Sequence, residues 1–162
     1  MNNDGSITIG GDELYVSGDF INNGTMQALG GGQFFGAGDV VNNGTIRFAS
    51  SGVLTTTGTF TNNGLLDLLT STNSLPPNFI NNGTVILNTD RRILSVGKAG
   101  ANFSCTAWGY AGHSYRLERA DTLAGPWTPI GGMQPGAGAM LTFTDTGGAT
   151  GAARFYRVSV SP

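Results

Sequence analysis

The sequence predicts an all-β protein in which a short parallel β-helix (solenoid) precedes a small antiparallel β-sandwich. A tripeptide, Asn-Asn-Gly, recurs at nearly fixed spacing through the first half of the 162 residues. Composition favours strands and turns over helices, because 27 residues are glycine and only 11% are charged. The second half lacks the repeat and carries short alternating runs separated by glycine and proline. We therefore expect a solenoid over residues 1–92 and a sandwich over residues 93–162.

The repeat sets the length of each solenoid turn. Its four copies are Asn22-Asn23-Gly24, Asn42-Asn43-Gly44, Asn62-Asn63-Gly64 and Asn81-Asn82-Gly83, and a degenerate copy, Asn3-Asp4-Gly5, precedes them. The five glycines are 19, 20, 20 and 19 residues apart. A period of that size is typical of chains that coil through stacked, equivalent turns, and about five turns are expected here.

Apolar residues recur at matched positions of each turn. The position before each asparagine pair holds Phe20, Val40, Phe60 and Phe79; the strand after each glycine holds Ile7, Met26, Ile46, Leu66 and Val85 and, two residues on, Ile9, Ala28, Phe48, Leu68 and Leu87. A separation of two is the strand period, so both positions face the same side. A second strand holds Leu14, Phe34 and Leu54. These columns predict a core inside a tube of short strands.

The asparagines and glycines of the repeat are predicted to form corners of the solenoid. Glycine accepts positive φ freely, and asparagine tolerates the left-handed region better than most residues. Equivalent asparagines would lie about 4.8 Å apart along the stack, which is the spacing at which amide ladders form. The repeat is thus interpreted as structural, with no chemistry of its own.

The motif Phe/Val-x-Asn-Asn-Gly-Thr-Ile/Val/Met recurs every 19 to 20 residues, with Gly-Asp-Phe or Gly-Asp-Val at another corner. It resembles the parallel β-helix repeats of bacterial filamentous-haemagglutinin-type and autotransporter passenger proteins. The resemblance covers a little over half of the chain. It implies a secreted or surface-exposed protein whose shaft displays, adheres or forms a stalk. It brings no catalytic motif, because none belongs to the repeat.

The second half is predicted to contain six strands, at Ile93–Val96, Asn102–Ala107, Ser114–Arg119, Trp127–Ile130, Met140–Thr144 and Arg154–Val160. The runs Tyr115-Arg116-Leu117-Glu118-Arg119 and Arg154-Phe155-Tyr156-Arg157-Val158 are similar to those of fibronectin type III-like modules. That family has seven strands. The resemblance therefore implies that the last strand is absent or is supplied from elsewhere.

Charge is unevenly distributed. Residues 1–90 hold seven acids and one base, a net charge of -6, whereas residues 91–162 hold seven bases and three acids, a net charge of +4. The bases form no continuous run, so nucleic-acid binding is not expected. Attraction between the two halves of neighbouring copies is expected instead. The candidate assembly contacts are Asn3, Asp4, Asp12, Glu13 and Asp19 in the first turn and Arg116, Arg119, Arg154 and Arg157 in the sandwich.

Residues that could carry catalysis or bind a metal are few. One cysteine, Cys105, and one histidine, His113, exclude a disulfide framework and a multi-histidine metal site. Cys105 is expected in the core and His113 in a surface turn. Trp108 and Tyr110 beside His113 could form an aromatic platform for sugars, although packing is the simpler interpretation. No metal, cofactor or membrane-spanning segment is predicted.

These observations predict an extracellular bacterial structural protein that assembles head to tail into a fibre, its partners being copies of itself and, as an open alternative, a surface or matrix polysaccharide. A fragment of a cell-surface adhesin or stalk is the alternative function. A polysaccharide-active β-helix enzyme is a remote one, since it would have to use the acidic column Asp19 and Asp39. An ice-binding threonine column is also remote, because Leu65 interrupts it.

Overall fold

The computed structural model describes residues 1–150 and 153–162. It is an all-β structure that divides into two compact units, Met1–Asp90 and Arg91–Pro162. We call the first the solenoid and the second the two-sheet unit.

The solenoid is a parallel β-solenoid of about four turns, built from thirteen short strands. In chain order they are β1 (Asn2–Asn3), β2 (Ser6–Gly10), β3 (Glu13–Val16), β4 (Phe20–Asn22), β5 (Thr25–Leu29), β6 (Gln33–Gly36), β7 (Val40–Asn42), β8 (Thr45–Phe48), β9 (Val53–Thr56), β10 (Phe60–Asn62), β11 (Leu65–Asp67), β12 (Phe79–Asn81) and β13 (Thr84–Ile86). They form three parallel sheets, β1-β4-β7-β10-β12, β2-β5-β8-β11-β13 and β3-β6-β9.

The register of these sheets is the one that the repeat predicts. Phe20, Val40, Phe60 and Phe79 are aligned in the first sheet, and Met26 pairs with Ile7 and Ile46 in the second. The side chains of both columns meet in one core, in which Phe20, Met26, Phe34 and Phe60 are fully buried. The predicted core columns are therefore confirmed.

The solenoid has about four turns, close to the predicted number of about five. The third sheet has only three strands, so the later turns lack a strand on that side. In the fourth turn the side chain of Asn73 takes the place of strand backbone: its Oδ1 accepts from the Leu54 N–H at 3.1 Å and its Nδ2 donates to the Gly52 carbonyl at 2.6 Å. A 3-10 turn at Asn88–Asp90 ends the solenoid.

The described residues of the two-sheet unit form six strands, as predicted. They are β14 (Ile93–Ala99), β15 (Asn102–Gly109), β16 (Ser114–Ala120), β17 (Thr128–Pro135), β18 (Ala139–Asp145) and β19 (Phe155–Ser161). They form two antiparallel sheets, β14-β15-β18 and β17-β16-β19. Several strands extend beyond the predicted bounds, because alternation marks the buried centre of a strand better than its exposed ends.

The two sheets pack through one face each. Phe103 of β15 stacks on Tyr156 of β19 with ring centroids 3.8 Å apart, and Tyr115, Leu117 and Phe143 are buried between the sheets. Cys105 is also buried there, which confirms its predicted core position. Burial raises the pKa of its thiol. A buried thiol with a raised pKa forms less thiolate and is less reactive than an exposed one.

Candidate functional site

The first asparagine of each repeat forms an inner ladder inside the solenoid. Asn22, Asn42 and Asn62 are completely buried. The amide Nδ2 of each donates to Oδ1 of the asparagine in the next turn, from Asn3 to Asn22 at 2.7 Å, Asn22 to Asn42 at 2.8 Å, Asn42 to Asn62 at 2.7 Å and Asn62 to Asn81 at 2.8 Å. A buried amide is tolerated only when its groups are paired, and here the neighbouring turns pair them.

The inner amides also hold the following strand in place. Nδ2 of Asn22 donates to the Thr45 carbonyl at 3.0 Å, and Nδ2 of Asn42 donates to the Leu65 carbonyl at 2.9 Å. Each asparagine thus links two sides of a neighbouring turn across the corner. The predicted amide ladder is confirmed in this inner column.

The second asparagine of each repeat forms an outer ladder on the exposed face of the corner. Here donation runs in the opposite direction, toward the N-terminal turn: Asn82 to Asn63 at 2.9 Å, Asn63 to Asn43 at 2.9 Å, Asn43 to Asn23 at 2.8 Å and Asn23 to Asp4 at 2.7 Å. Asp4 explains the direction, since an ionised carboxylate accepts hydrogen bonds and donates none. The degenerate copy of the repeat therefore ends the outer ladder on an acceptor.

The glycine of the repeat is required for a reason that the sequence prediction missed. Gly24, Gly44, Gly64 and Gly83 all lie outside the left-handed region, so the predicted positive φ is wrong. A Cβ at Gly44 would instead overlap the carbonyl oxygen of Gly24, and the other three glycines stand in the same relation to the turn before them. Glycine is needed because successive backbones approach too closely for any side chain.

Gly5 is the exception among the glycines of the Asn-Asn-Gly repeat. A Cβ at Gly5 would meet nothing within 4 Å. No described turn of this chain precedes Gly5 in the stack. The overlap with a carbonyl of the preceding turn, which requires glycine at Gly24, therefore does not arise at Gly5.

The acidic column Asp19 and Asp39 serves the backbone. Oδ1 of Asp19 accepts from the Asp39 N–H at 3.0 Å, and Oδ1 of Asp39 accepts from the Thr59 N–H at 2.8 Å. Each carboxylate thereby fixes the corner of the next turn. The remaining acidic contacts predicted for the first turn, Asp12 and Glu13, are exposed.

The first turn exposes an unpaired edge. Strands β1, β2 and β3 are the outermost members of their sheets. Ile7 and Leu14 are only partly buried, whereas the equivalent Met26 and Phe34 of the second turn are completely buried. Tyr15 is 68% exposed. This edge, which we call the N-terminal edge, therefore combines free strand backbone with apolar core atoms.

The predicted cationic contacts of the two-sheet unit are paired within that unit. Arg157 and Arg116 both bind Glu118, at 2.7 Å and 3.3 Å. Burial alone would raise the pKa of Glu118, but the hydrogen bonds from Arg157 and Arg116 outweigh it and lower the pKa below its usual value. The guanidinium of Arg157 also lies 4.4 Å from the centre of the Trp127 ring.

The other two arginines are paired with aspartates. Arg119 contacts both carboxylate oxygens of Asp145, at 3.2 Å and 2.8 Å. Arg154 lies 4.0 Å from the exposed Asp121. The hydroxyl of Tyr156 also donates to Asp145, and its pKa is raised by burial and by that hydrogen bond.

His113 is buried, with 2% of its surface exposed, so the predicted surface turn histidine is wrong. Its carbonyl accepts from Gly136 at 2.8 Å, and the nearby Tyr110 N–H donates to the Tyr115 hydroxyl at 2.9 Å. Trp108 is 39% exposed. The three residues that could have formed an aromatic platform thus differ in exposure, and His113 is part of the packing.

Comparisons with known proteins gave no match among family models, curated proteins or solved structures. Within residues 1–150 and 153–162, no three histidine, cysteine, aspartate or glutamate side chains are grouped so that they could hold a metal ion. No helix in the described part of the chain is long and apolar enough to cross a bilayer.

Proposed function

We propose that this chain is an extracellular bacterial structural protein whose N-terminal edge pairs with a further solenoid turn, supplied by a second copy, to build a fibre. The observation that carries the proposal is the N-terminal edge, where strand backbone and apolar core atoms are uncovered together. Such an edge pairs readily with another strand, and repeat proteins protect it with a cap. A head-to-tail contact that does not close produces a filament.

Gly5 supports a stacked turn at this edge. The other four glycines of the Asn-Asn-Gly repeat are required because the carbonyl of the preceding turn lies where a side chain would be, yet Gly5 has no such neighbour in the described part of the chain. A turn stacked on the N-terminal edge would supply that neighbour. The glycine then has the same steric role at all five corners.

The inner ladder also favours a turn stacked on a turn. Asn3 donates inward to Asn22 through Nδ2, while its Oδ1 accepts from the Gly5 N–H at 3.2 Å and keeps a second lone pair for a further donor. At the other end of the ladder, Nδ2 of Asn81 donates to the Gly83 carbonyl at 3.2 Å and has a second hydrogen to donate. A donor of one copy can thus meet an acceptor of the next. The arginines of the two-sheet unit are already paired with Glu118, Asp145 and Asp121, which makes them weaker candidates for the contact.

The test uses Gly5→Ala, with Gly10→Ala as the matched control. Neither added Cβ meets an atom within 4 Å, so both variants should fold. Against a stacked turn only the Cβ added at position 5 would collide, whereas position 10 is aligned with Leu29 and already tolerates a side chain in that column. Light scattering and electron microscopy should show filaments for the unmodified chain and Gly10→Ala, and monomers for Gly5→Ala.

Asp4 distinguishes two geometries of the contact. If the N-terminal edge stacks on the last turn of a second copy, the Asp4 carboxylate would face Oδ1 of Asn82 in that copy. Two acceptors would then oppose each other, so Asp4→Asn, which adds an amide donor, should strengthen assembly. Against arginines of the two-sheet unit, Asp4→Asn should weaken it. A strictly monomeric chain at low and moderate salt would exclude the fibre.

The alternative is a segment of a longer surface adhesin or stalk, in which an upstream turn of the same chain covers the N-terminal edge. It predicts further Asn-Asn-Gly turns upstream in the gene and a monomer in isolation. The fibronectin type III-like character of the two-sheet unit belongs to either proposal. Its six strands are consistent with such a module that lacks one strand.

A further inference from the structure

The two-sheet unit has a cavity on one side, between the free edges of its sheets. The cavity has a volume of about 270 Å³, and its apolar lining includes Ile93, Ala107, Tyr115, Val158 and Val160. These residues belong to β14 and β15 of one sheet and to β16 and β19 of the other. Because β14 and β19 are the outer strands of their sheets, the cavity lies on the side where both edges are unpaired.

The inner face of β14 is uncovered on the same side. Val96 is aligned with the buried Cys105, and Lys98 with Phe103, so both side chains point toward the opposite sheet. Val96 is nevertheless 69% exposed. This exposure of an apolar side chain on the inner face indicates that the described strands of the other sheet do not cover it. One added strand beside β19 would pair the free edge of β19 and cover Val96.

The charge around the cavity restricts the occupant. Arg91 and Arg92 contribute to its lining, and Lys98 lies on the same inner face of β14. None of the described residues that line the cavity carries a carboxylate. An extended segment with alternating apolar residues and flanking acidic residues matches both the lining and the charge.

We propose that the groove between β14 and β19 binds an extended acidic peptide segment of a partner protein, which adds to β19 as a fourth strand. Its alternate apolar side chains enter the cavity and cover Val96, and its carboxylates meet Arg91, Arg92 and Lys98. The solenoid of a second copy is a poor source, since each of its strands β1 to β13 is held in a sheet on at least one side and is not a free extended segment. This docking site is independent of stacking at the N-terminal edge.

The probe is a short synthetic peptide of alternating valine and threonine with aspartates at both ends, labelled for fluorescence anisotropy. A peptide with lysines in place of the aspartates is the charge control. The full-length chain should bind the aspartate peptide and not the lysine peptide. Hydrogen exchange should slow at β19 amides and around Val96 when the aspartate peptide is added, because new strand hydrogen bonds form there.

Two variants separate the groove from non-specific attraction. The double variant Arg92→Glu with Lys98→Glu changes exposed side chains and should weaken binding of the aspartate peptide at least about tenfold, since two attractive contacts become repulsive. Thr144→Glu is the control, because Thr144 is exposed and aligned with Ser104 on the outer face of the same sheet. It should leave binding unchanged.

Three results would overturn the proposal. The first is no binding of the aspartate peptide, and the second is equal weakening by Thr144→Glu and by the double variant. The third is a dimer that protects β19 without peptide, since the edge would then pair with a second copy. Val96→Glu replaces an apolar contact with a charge that repels the aspartates, at a position that is already exposed, so it should fold and should also weaken binding of the peptide.

Discussion

Replacing Asn42 by alanine should destabilise the solenoid far more than replacing its neighbour Asn43. Asn42 is completely buried and makes three hydrogen bonds: from Asn22 Nδ2 at 2.8 Å, to Asn62 Oδ1 at 2.7 Å and to the Leu65 carbonyl at 2.9 Å. Asn43 makes two ladder bonds of similar length but is exposed. The two residues have the same chemistry in different surroundings.

The expected magnitudes follow from burial. A net hydrogen bond contributes about 1 kcal/mol, and a buried group left without a partner costs about 1–3 kcal/mol. Asn42→Ala removes three bonds and leaves Oδ1 of Asn62 without its donor, so the loss should be roughly 3–6 kcal/mol. At Asn43 water can replace the lost partners, and about 0.5–1 kcal/mol is expected. The larger loss is a substantial part of the free energy of unfolding of a typical domain, which is roughly 5–15 kcal/mol.

The assay can follow each unit separately. Both tryptophans, Trp108 and Trp127, lie in the two-sheet unit, so their fluorescence reports on that unit alone. Far-UV circular dichroism during urea unfolding reports on both units. Asn42→Ala should lower the midpoint of a circular dichroism transition and leave the tryptophan transition unchanged. Equal effects of Asn42→Ala and Asn43→Ala would refute the argument that burial makes the inner ladder essential.

Three further outcomes are expected. Gly44→Ala should prevent stable stacking of the third turn, because the new Cβ would overlap the Gly24 carbonyl; circular dichroism should detect the loss, and near-native stability would contradict the close approach. The lowered pKa of Glu118 gives a stabilisation that is present above its usual value of 4.5 and is lost as pH falls through the folded pKa. Tryptophan-detected melting should therefore fall in acid for the unmodified chain and be flatter for Glu118→Gln, and parallel curves would argue against this assignment. Cys105 should react with a thiol reagent only as the two-sheet unit unfolds, and rapid labelling of the native chain would contradict its burial.

The sequence predicted the solenoid well because its signal is repeated. Phe20, Val40 and Phe60 are 20 residues apart, so their alignment can be checked several times within one chain. The asparagine ladders follow from the same alignment, since equivalent side chains must meet at strand spacing. The position of a residue in a regular stack depends on its place within one repeat, and the periodicity of the sequence reveals that place directly.

What the sequence could not predict depends on contacts between unrelated positions. A side chain at Gly44 would clash with the carbonyl of Gly24, which lies in another turn. The corner was predicted correctly, but backbone dihedral preferences gave the wrong reason for its glycine. Asn73 replaces a strand through side-chain bonds to Gly52 and Leu54, and no pattern marks it. The burial of His113 depends on how two sheets pack. None of these contacts leaves a periodic pattern in the sequence.

The three positions of the repeat are expected to differ in how much change they tolerate. In the copies at residues 22–24, 42–44 and 62–64, the first asparagine is buried and bonded on both sides, and the glycine has no room for a side chain, whereas the second asparagine is exposed to water. The degenerate copy, Asn3-Asp4-Gly5, changes only the second position. It does so where substitution costs least, and the aspartate placed there also fixes the direction of the outer ladder by accepting from Asn23. The rule that describes this repeat is therefore Asn-x-Gly, with the middle residue free to specify what the corner presents to its surroundings.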